Sequence, residues 1–139
     1  MNIFVAASYS SYVNSHTGIV NPEYKAWLEV NITKLESFGH TVFCALRADE
    51  YRINDASPGE AFRLDVKRLQ SSDGLIALLE ENVSSGVQTE IGYALGLNKK
   101  VILAHQAGIE LSWFNKAIVK AGQANEVLLP LISDPFSAR

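Results

Sequence analysis

The chain has 139 residues and a formal net charge of −3, with 47% of its residues hydrophobic and 19% charged. That length suits one domain with its own core, expected over residues 1–139, and the balance excludes a disordered acidic tail. The small negative charge offers no field for polymeric nucleic acid or an anionic membrane, and no apolar run approaches the roughly 20 residues of a membrane span. Met1 to Ala7 has no basic segment and too short an apolar run for a signal peptide, so a cytoplasmic location is expected. The lone cysteine, Cys44, excludes an internal disulfide and a thiolate metal cluster. No metal or organic cofactor is expected.

Short apolar runs alternate with helical patterns. Ile3 to Ala7 reads as a strand closing on the polar stretch from Ser8 to Tyr12. From Pro22 to Phe38 the apolar residues Tyr24, Trp27, Leu28, Ile32 and Leu35 recur at helical spacing, with Pro22 in the first turn and Gly39 just past the end. A second strand is predicted from Thr41 to Leu46, followed by a polar loop through Asp55. Ser57-Pro58-Gly59-Glu60 opens a helix to about Gln70. Leu75 to Leu79 lacks polar alternation and reads as a strand covered on both faces.

A second capping pattern, Ser85-Gly86-Val87-Gln88, starts a helix to about Leu97. Val101 to Ala104 is the fourth strand, Leu111 to Ala121 the last helix, and Glu126 to Leu129 a short fifth strand. Strand–helix alternation predicts an α/β fold: a flavodoxin-like or Rossmann-like three-layer sandwich with a five-stranded, mostly parallel sheet. In such sheets the ligand crevice lies beyond the carboxyl ends of the strands. Three segments should meet there: Ser8 to Ser11, Glu80 to Gly86, and His105 to Gly108.

Two carboxylates stand out. On a wheel of about 100° per residue, Glu90 lies roughly 60° from Val87, on the flank of the stripe formed by Ile91, Ala94 and Leu95. It is expected half-buried near a helix N-terminus that favours its ionised form, as a nucleophile requires, although a first-turn glutamate is also ordinary helix chemistry. Asp65 falls inside an apolar arc of about 140° with Ala61, Phe62, Val66 and Leu69. An acid there is either protonated, and so able to act as a general acid, or satisfied by backbone N–H groups or Arg68. One anionic and one neutral acid suit a retaining displacement at an anomeric carbon. His16, His40 and His105 are scattered, and Cys44 reads as core packing.

The segment from Phe62 to Ala104 resembles the nucleoside 2-deoxyribosyltransferase superfamily. The likeness rests on Leu64-Asp65-Val66, Ser72-Asp73-Gly74, and the run from Ser84 through Glu90-Ile91-Gly92-Tyr93-Ala94 to Gly96. The resemblance implies Glu90 as the nucleophile toward C1′ of the sugar and Asp65 as the acid/base assisting the base. Ser84, six residues before Glu90, is similar to the phosphate-side serine of the 2′-deoxynucleoside 5′-phosphate N-hydrolase branch, where transferases carry an acid. Ser8 matches a phosphate-side serine after the first strand, and Ser112 a serine contributed by a neighbouring subunit. From their place at the crevice, Gly86 at the helix start and Tyr9 and Ser10 in the loop after the first strand are further expected substrate contacts.

Two positions depart from the pattern. Ser10 stands where the hydrolases have an arginine, leaving His16, Lys25 or Arg47 as replacement cations, and Phe4 stands where a tyrosine orients the nucleophile. The expected function is therefore an N-glycosidase on nucleosides or nucleoside 5′-monophosphates, acting as a homodimer or higher homo-oligomer. The rivals are a transferase on free nucleosides and a non-catalytic nucleotide sensor.

Overall fold

A computed structural model describes residues 1–53 and 56–137. Its strands are β1 (Asn2–Ala7), β2 (Thr41–Cys44), β3 (Gly74–Leu79), β4 (Lys100–Gln106) and β5 (Asn125–Leu129). The helices are α1 (Pro22–Ser37), α2 (Ala45–Ala48), α3 (Pro58–Ser71), α4 (Ser85–Gly96) and α5 (Trp113–Lys120). The sheet runs β2-β1-β3-β4-β5 with every neighbouring pair parallel, the order of flavodoxin-like sheets. All six residues of β3 are buried, as a central strand covered on both faces requires.

Strand alternation divides the core into two layers. Ile3, Val5, Ile76, Leu78 and Ile102 face α1, which answers with Leu28, Ile32 and Leu35. Phe4, Ala6, Leu75, Ala77 and Leu103 face the other way, toward Leu69 of α3, Val87, Ile91 and Ala94 of α4, and Ile118 of α5. The sheet's order switches between β1 and β3, so the loops after these two strands diverge and leave a crevice at their carboxyl ends.

Capping residues fix where the helices begin. The Asn21 side chain accepts from the N–H groups of Glu23 and Tyr24, Ser57 from Glu60, Ser84 from Val87 and Ser112 from Asn115. The last helix therefore starts at Trp113 rather than Leu111. The second strand stops at Cys44, two residues before its expected end at Leu46. It is an edge strand whose ladder with β1 ends at the Val5–Cys44 pair, and the chain then coils into α2 with Leu46 tucked into the core. A 3₁₀ turn at Ser10–Tyr12, within the polar stretch after β1, lays Tyr12 flat on Tyr24 with ring centroids 3.8 Å apart.

The amino edge of the sheet is closed by the segment after β5. Phe136 is buried against Gly74, where an added Cβ would lie 2.7 Å from the Phe136 ring and 3.0 Å from the Lys100 carbonyl. His40 Nε2, 2.8 Å from Asp134 Oδ1, ties down the same segment.

Candidate active site

The helix α3 does not bury its apolar arc in the core. Of Ala61, Phe62, Asp65, Val66 and Leu69 only Leu69 is fully buried. The rest of the arc walls two cavities, with Asp65 between them. The larger, about 560 Å³, lies over the carboxyl ends of β1 and β2 and is bounded by Val5, Phe43, Cys44, Asp49, Asp65, Arg68, Ser84, Gly86 and Glu90. The smaller, about 190 Å³, sits between α3 and α4 against Phe62, Val66 and Tyr93 and is also bounded by Asp65 and Glu90. Small-molecule sites typically occupy about 300–1,000 Å³, so only the larger cavity has room for a nucleotide.

Glu90 and Asp65 meet across α4 and α3 and share a hydrogen bond. Burial, the Asp65 charge and this bond together push the Glu90 pKa up to about 8. Asp65 is also raised, first by burial and further by the charge of Asp49, while the hydrogen bond from Glu90 opposes the rise. Both carboxyls are thus held above their ordinary range, and the hydrogen bond between them carries one shared proton.

The upward shift of Asp65 agrees with the expectation of a raised acid there, whereas the upward shift of Glu90 runs against the expected anion. Glu90 is the sixth residue of α4, beyond the first turn in which the helix dipole acts, so burial and the facing carboxylate prevail. Arg68 does not satisfy Asp65 either; its guanidinium lies over the Phe43 ring, 4.9 Å from the centroid.

The other expected site residues divide into two groups. Tyr9, Ser84 and Gly86 line the large cavity with the carboxyl pair. Ser84 Oγ caps α4 at 3.2 Å from the Val87 nitrogen, and a Cβ on Gly86 would meet no atom closer than that oxygen, at 4.0 Å. Ser8, Ser10 and Ser112 are not brought to this cavity. Ser8 is buried and its carbonyl accepts from the Tyr24 hydroxyl, whereas Ser10 is exposed at the start of the 3₁₀ turn. Ser112 caps α5 beside a groove of about 350 Å³ that shares Ser84 with the cavity.

None of the replacement cations borders the large cavity, and two of them are engaged elsewhere. Arg47 binds Glu29 and Glu36 at 3.3 and 3.0 Å, and Lys25 lies 5.0 Å over the Tyr51 ring. His16 sits in the loop before α1, where its backbone N–H donates to Asn14 Oδ1. Phe4, in the place of the nucleophile-orienting tyrosine, is fully buried against Phe43. His105 pairs with Glu126 at 2.7 Å and is buried in β4. Sequence reasoning missed Phe43, Asp49 and the position of Arg68. The available signal for Arg68 was its place one helical turn after Asp65, on the same face.

Comparison with known proteins decides the family: the model described as nucleoside 2-deoxyribosyltransferase matches residues 17–125. The chain belongs to the nucleoside 2-deoxyribosyltransferase family. Its members are enzymes, and the family match places nucleoside chemistry on this fold. Among solved structures, the CMP N-glycosidase BcmB of Clostridium botulinum is 21% identical, with 94% of this chain and 90% of that one covered and a TM-score of 0.69. The solution structure of BlsM is 22% identical over 94% and 82% of the two chains, with a TM-score of 0.76. A 2-deoxyribosyltransferase of Bacillus psychrosaccharolyticus is 19% identical over 82% and 79%, with a TM-score of 0.59. At these identities the three structures establish the shared fold. No curated protein matches the sequence. No helix among the described residues is long and apolar enough to cross a membrane.

Proposed function

We propose that this member of the family is an N-glycosidase that cleaves the base–sugar bond of nucleosides or nucleoside 5′-monophosphates by a retaining mechanism. The observation that carries the reading is the Glu90–Asp65 pair, two carboxyls sharing one proton in the wall of the cavity large enough for a nucleotide. Inverting glycosidases hold their carboxyls roughly 6.5–9.5 Å apart to admit a water molecule between them. A hydrogen-bonded pair has no such room, which supports direct attack by one carboxylate.

The two acids divide the work through their shared proton. Glu90 attacks C1′ as its proton crosses to Asp65. The electron pair of the breaking C1′–N bond passes to the base, and Asp65 delivers the proton to it. A glycosyl ester on Glu90 results. Water then attacks C1′, the ester oxygen leaves as the Glu90 carboxylate, and the Asp65 carboxylate takes the water's proton, restoring the pair. Burial raises the barrier to ionising Glu90 in the empty site, and that same desolvation makes the anion a stronger nucleophile once formed.

Ser84 and Gly86, at the amino end of α4, form the phosphate side of the cavity in this reading: the helix terminus presents N–H groups and the glycine leaves the approach open. Tyr9 borders the same space as a stacking surface for the base. Ser112 belongs to the site of a neighbouring copy, and the 78% and 63% exposure of the adjoining Trp113 and Phe114 supports such a dimer. The test is chromatography of the protein incubated with nucleosides and 5′-monophosphates, with and without a second free base. Release of free base from monophosphates supports the reading. Base exchange on free nucleosides would make the protein a transferase, and nucleotide binding without cleavage would make it a sensor.

A further inference from the structure

The large cavity contains a cation that the proposed chemistry has not used. Arg68 follows Asp65 by one turn of α3, so both side chains project from one face of the helix into the same space. Its guanidinium rests on the Phe43 ring at 4.9 Å from the centroid. Stacking of this kind holds the guanidinium plane while leaving its edge N–H groups free to donate in a fixed fork. Among the described residues Arg68 forms no ion pair, whereas Arg47 is committed to Glu29 and Glu36.

From the N-glycosidase reading above, the position of this fork follows. Ser84, Gly86, Glu90, Asp65 and Arg68 line one cavity, and in that reading the first two take the phosphate, Glu90 the sugar carbon and Asp65 the departing base. Arg68, one turn past Asp65 on α3 and over Phe43, then falls on the base side of the carboxyl pair. When the C1′–N bond breaks, its electron pair enters the base ring and is delocalised onto any carbonyl oxygen conjugated with that nitrogen. A preorganised charged donor placed at such an oxygen stabilises the transition state more than the ground state.

We propose that Arg68 hydrogen-bonds a carbonyl oxygen of the departing base, stabilises the charge that develops there, and so selects carbonyl-bearing bases over adenine. Asp65 remains the proton donor; Arg68 neither gains nor loses a proton.

The test compares the wild type with Arg68→Met and Arg68→Lys on the 2′-deoxynucleoside 5′-monophosphates of uracil, cytosine, guanine and adenine. Methionine keeps the cover over Phe43 without the charge, and the urea midpoint of each variant reports folding. The expected wild type prefers the three carbonyl-bearing bases. Arg68→Met then loses roughly 10²- to 10³-fold in kcat/KM on those three and less than about tenfold on adenine, Arg68→Lys recovers part of the loss, and the urea midpoint is unchanged. Equal losses on all four substrates, no loss on any, or a wild type that prefers adenine would overturn the role of Arg68 while leaving the glycosidase reading intact. A wild type that cleaves none of the four nor any free nucleoside sinks that reading, and this role with it.

Discussion

Replacing Glu90 with glutamine should abolish turnover and yet make the protein more stable, by an amount that grows with pH. The wild-type side chain keeps its proton in the folded protein up to about pH 8, whereas in an unfolded chain it loses it near the ordinary 4.5. Between those values the unfolded state binds fewer protons than the folded one, so stability is full at acid pH and is lost as pH rises through the folded pKa. Glutamine keeps an N–H donor toward Asp65 and carries no charge, so the variant lacks this loss. At about 1.4 kcal/mol per tenfold, the difference between variant and wild type grows from roughly 1 kcal/mol at about pH 5 to roughly 4 kcal/mol at about pH 8. Urea unfolding of both proteins across that range measures it. A difference that stays constant with pH, or a variant less stable than wild type at pH 8, would refute the shared-proton description of the pair.

Other outcomes follow from the same geometry. Turnover should fall above about pH 8 as the pair loses its one proton, read from the alkaline limb of kcat/KM against pH. Asp65→Asn should lower kcat by roughly 10²- to 10⁴-fold and, by removing the facing charge, move the Glu90 titration toward its ordinary range, seen by NMR of the carboxyl carbon. Ser84→Ala should cost about 1 kcal/mol through the lost cap and raise KM for monophosphates while leaving KM for free nucleosides unchanged. Gly74→Ala should cost roughly 1–3 kcal/mol in urea unfolding, because its Cβ collides with the Phe136 ring and the Lys100 carbonyl.

The fold was legible because its signals are local. Each main strand is a short apolar run, each main helix carries a proline, serine or glycine at its end, and the alternation leaves few topologies. The misread boundaries lie where tertiary pairing decides: β2 ends because the partner ladder ends at Cys44, and α5 begins where Ser112 captures the Asn115 N–H. The wheels singled out Glu90 and Asp65 because an acid beside an apolar stripe is expensive without a reason. They did not show that Glu90 is raised as well, since that depends on its burial and on the facing Asp65, which reaches it from another helix. Arg68 was visible only as a partner for Asp65, because its contact with Phe43 joins α3 to β2 through space.

The most direct test of the proposed mechanism is intact-protein mass spectrometry after incubation with a 2′-fluoro-substituted nucleoside 5′-monophosphate, whose sugar forms the ester but resists its hydrolysis. The account predicts base release together with a mass gain of one fluorosugar phosphate, located by peptide mapping to Glu90 and missing in Glu90→Gln. Base release without an adduct, together with full turnover of unmodified substrate by Glu90→Gln, would contradict it.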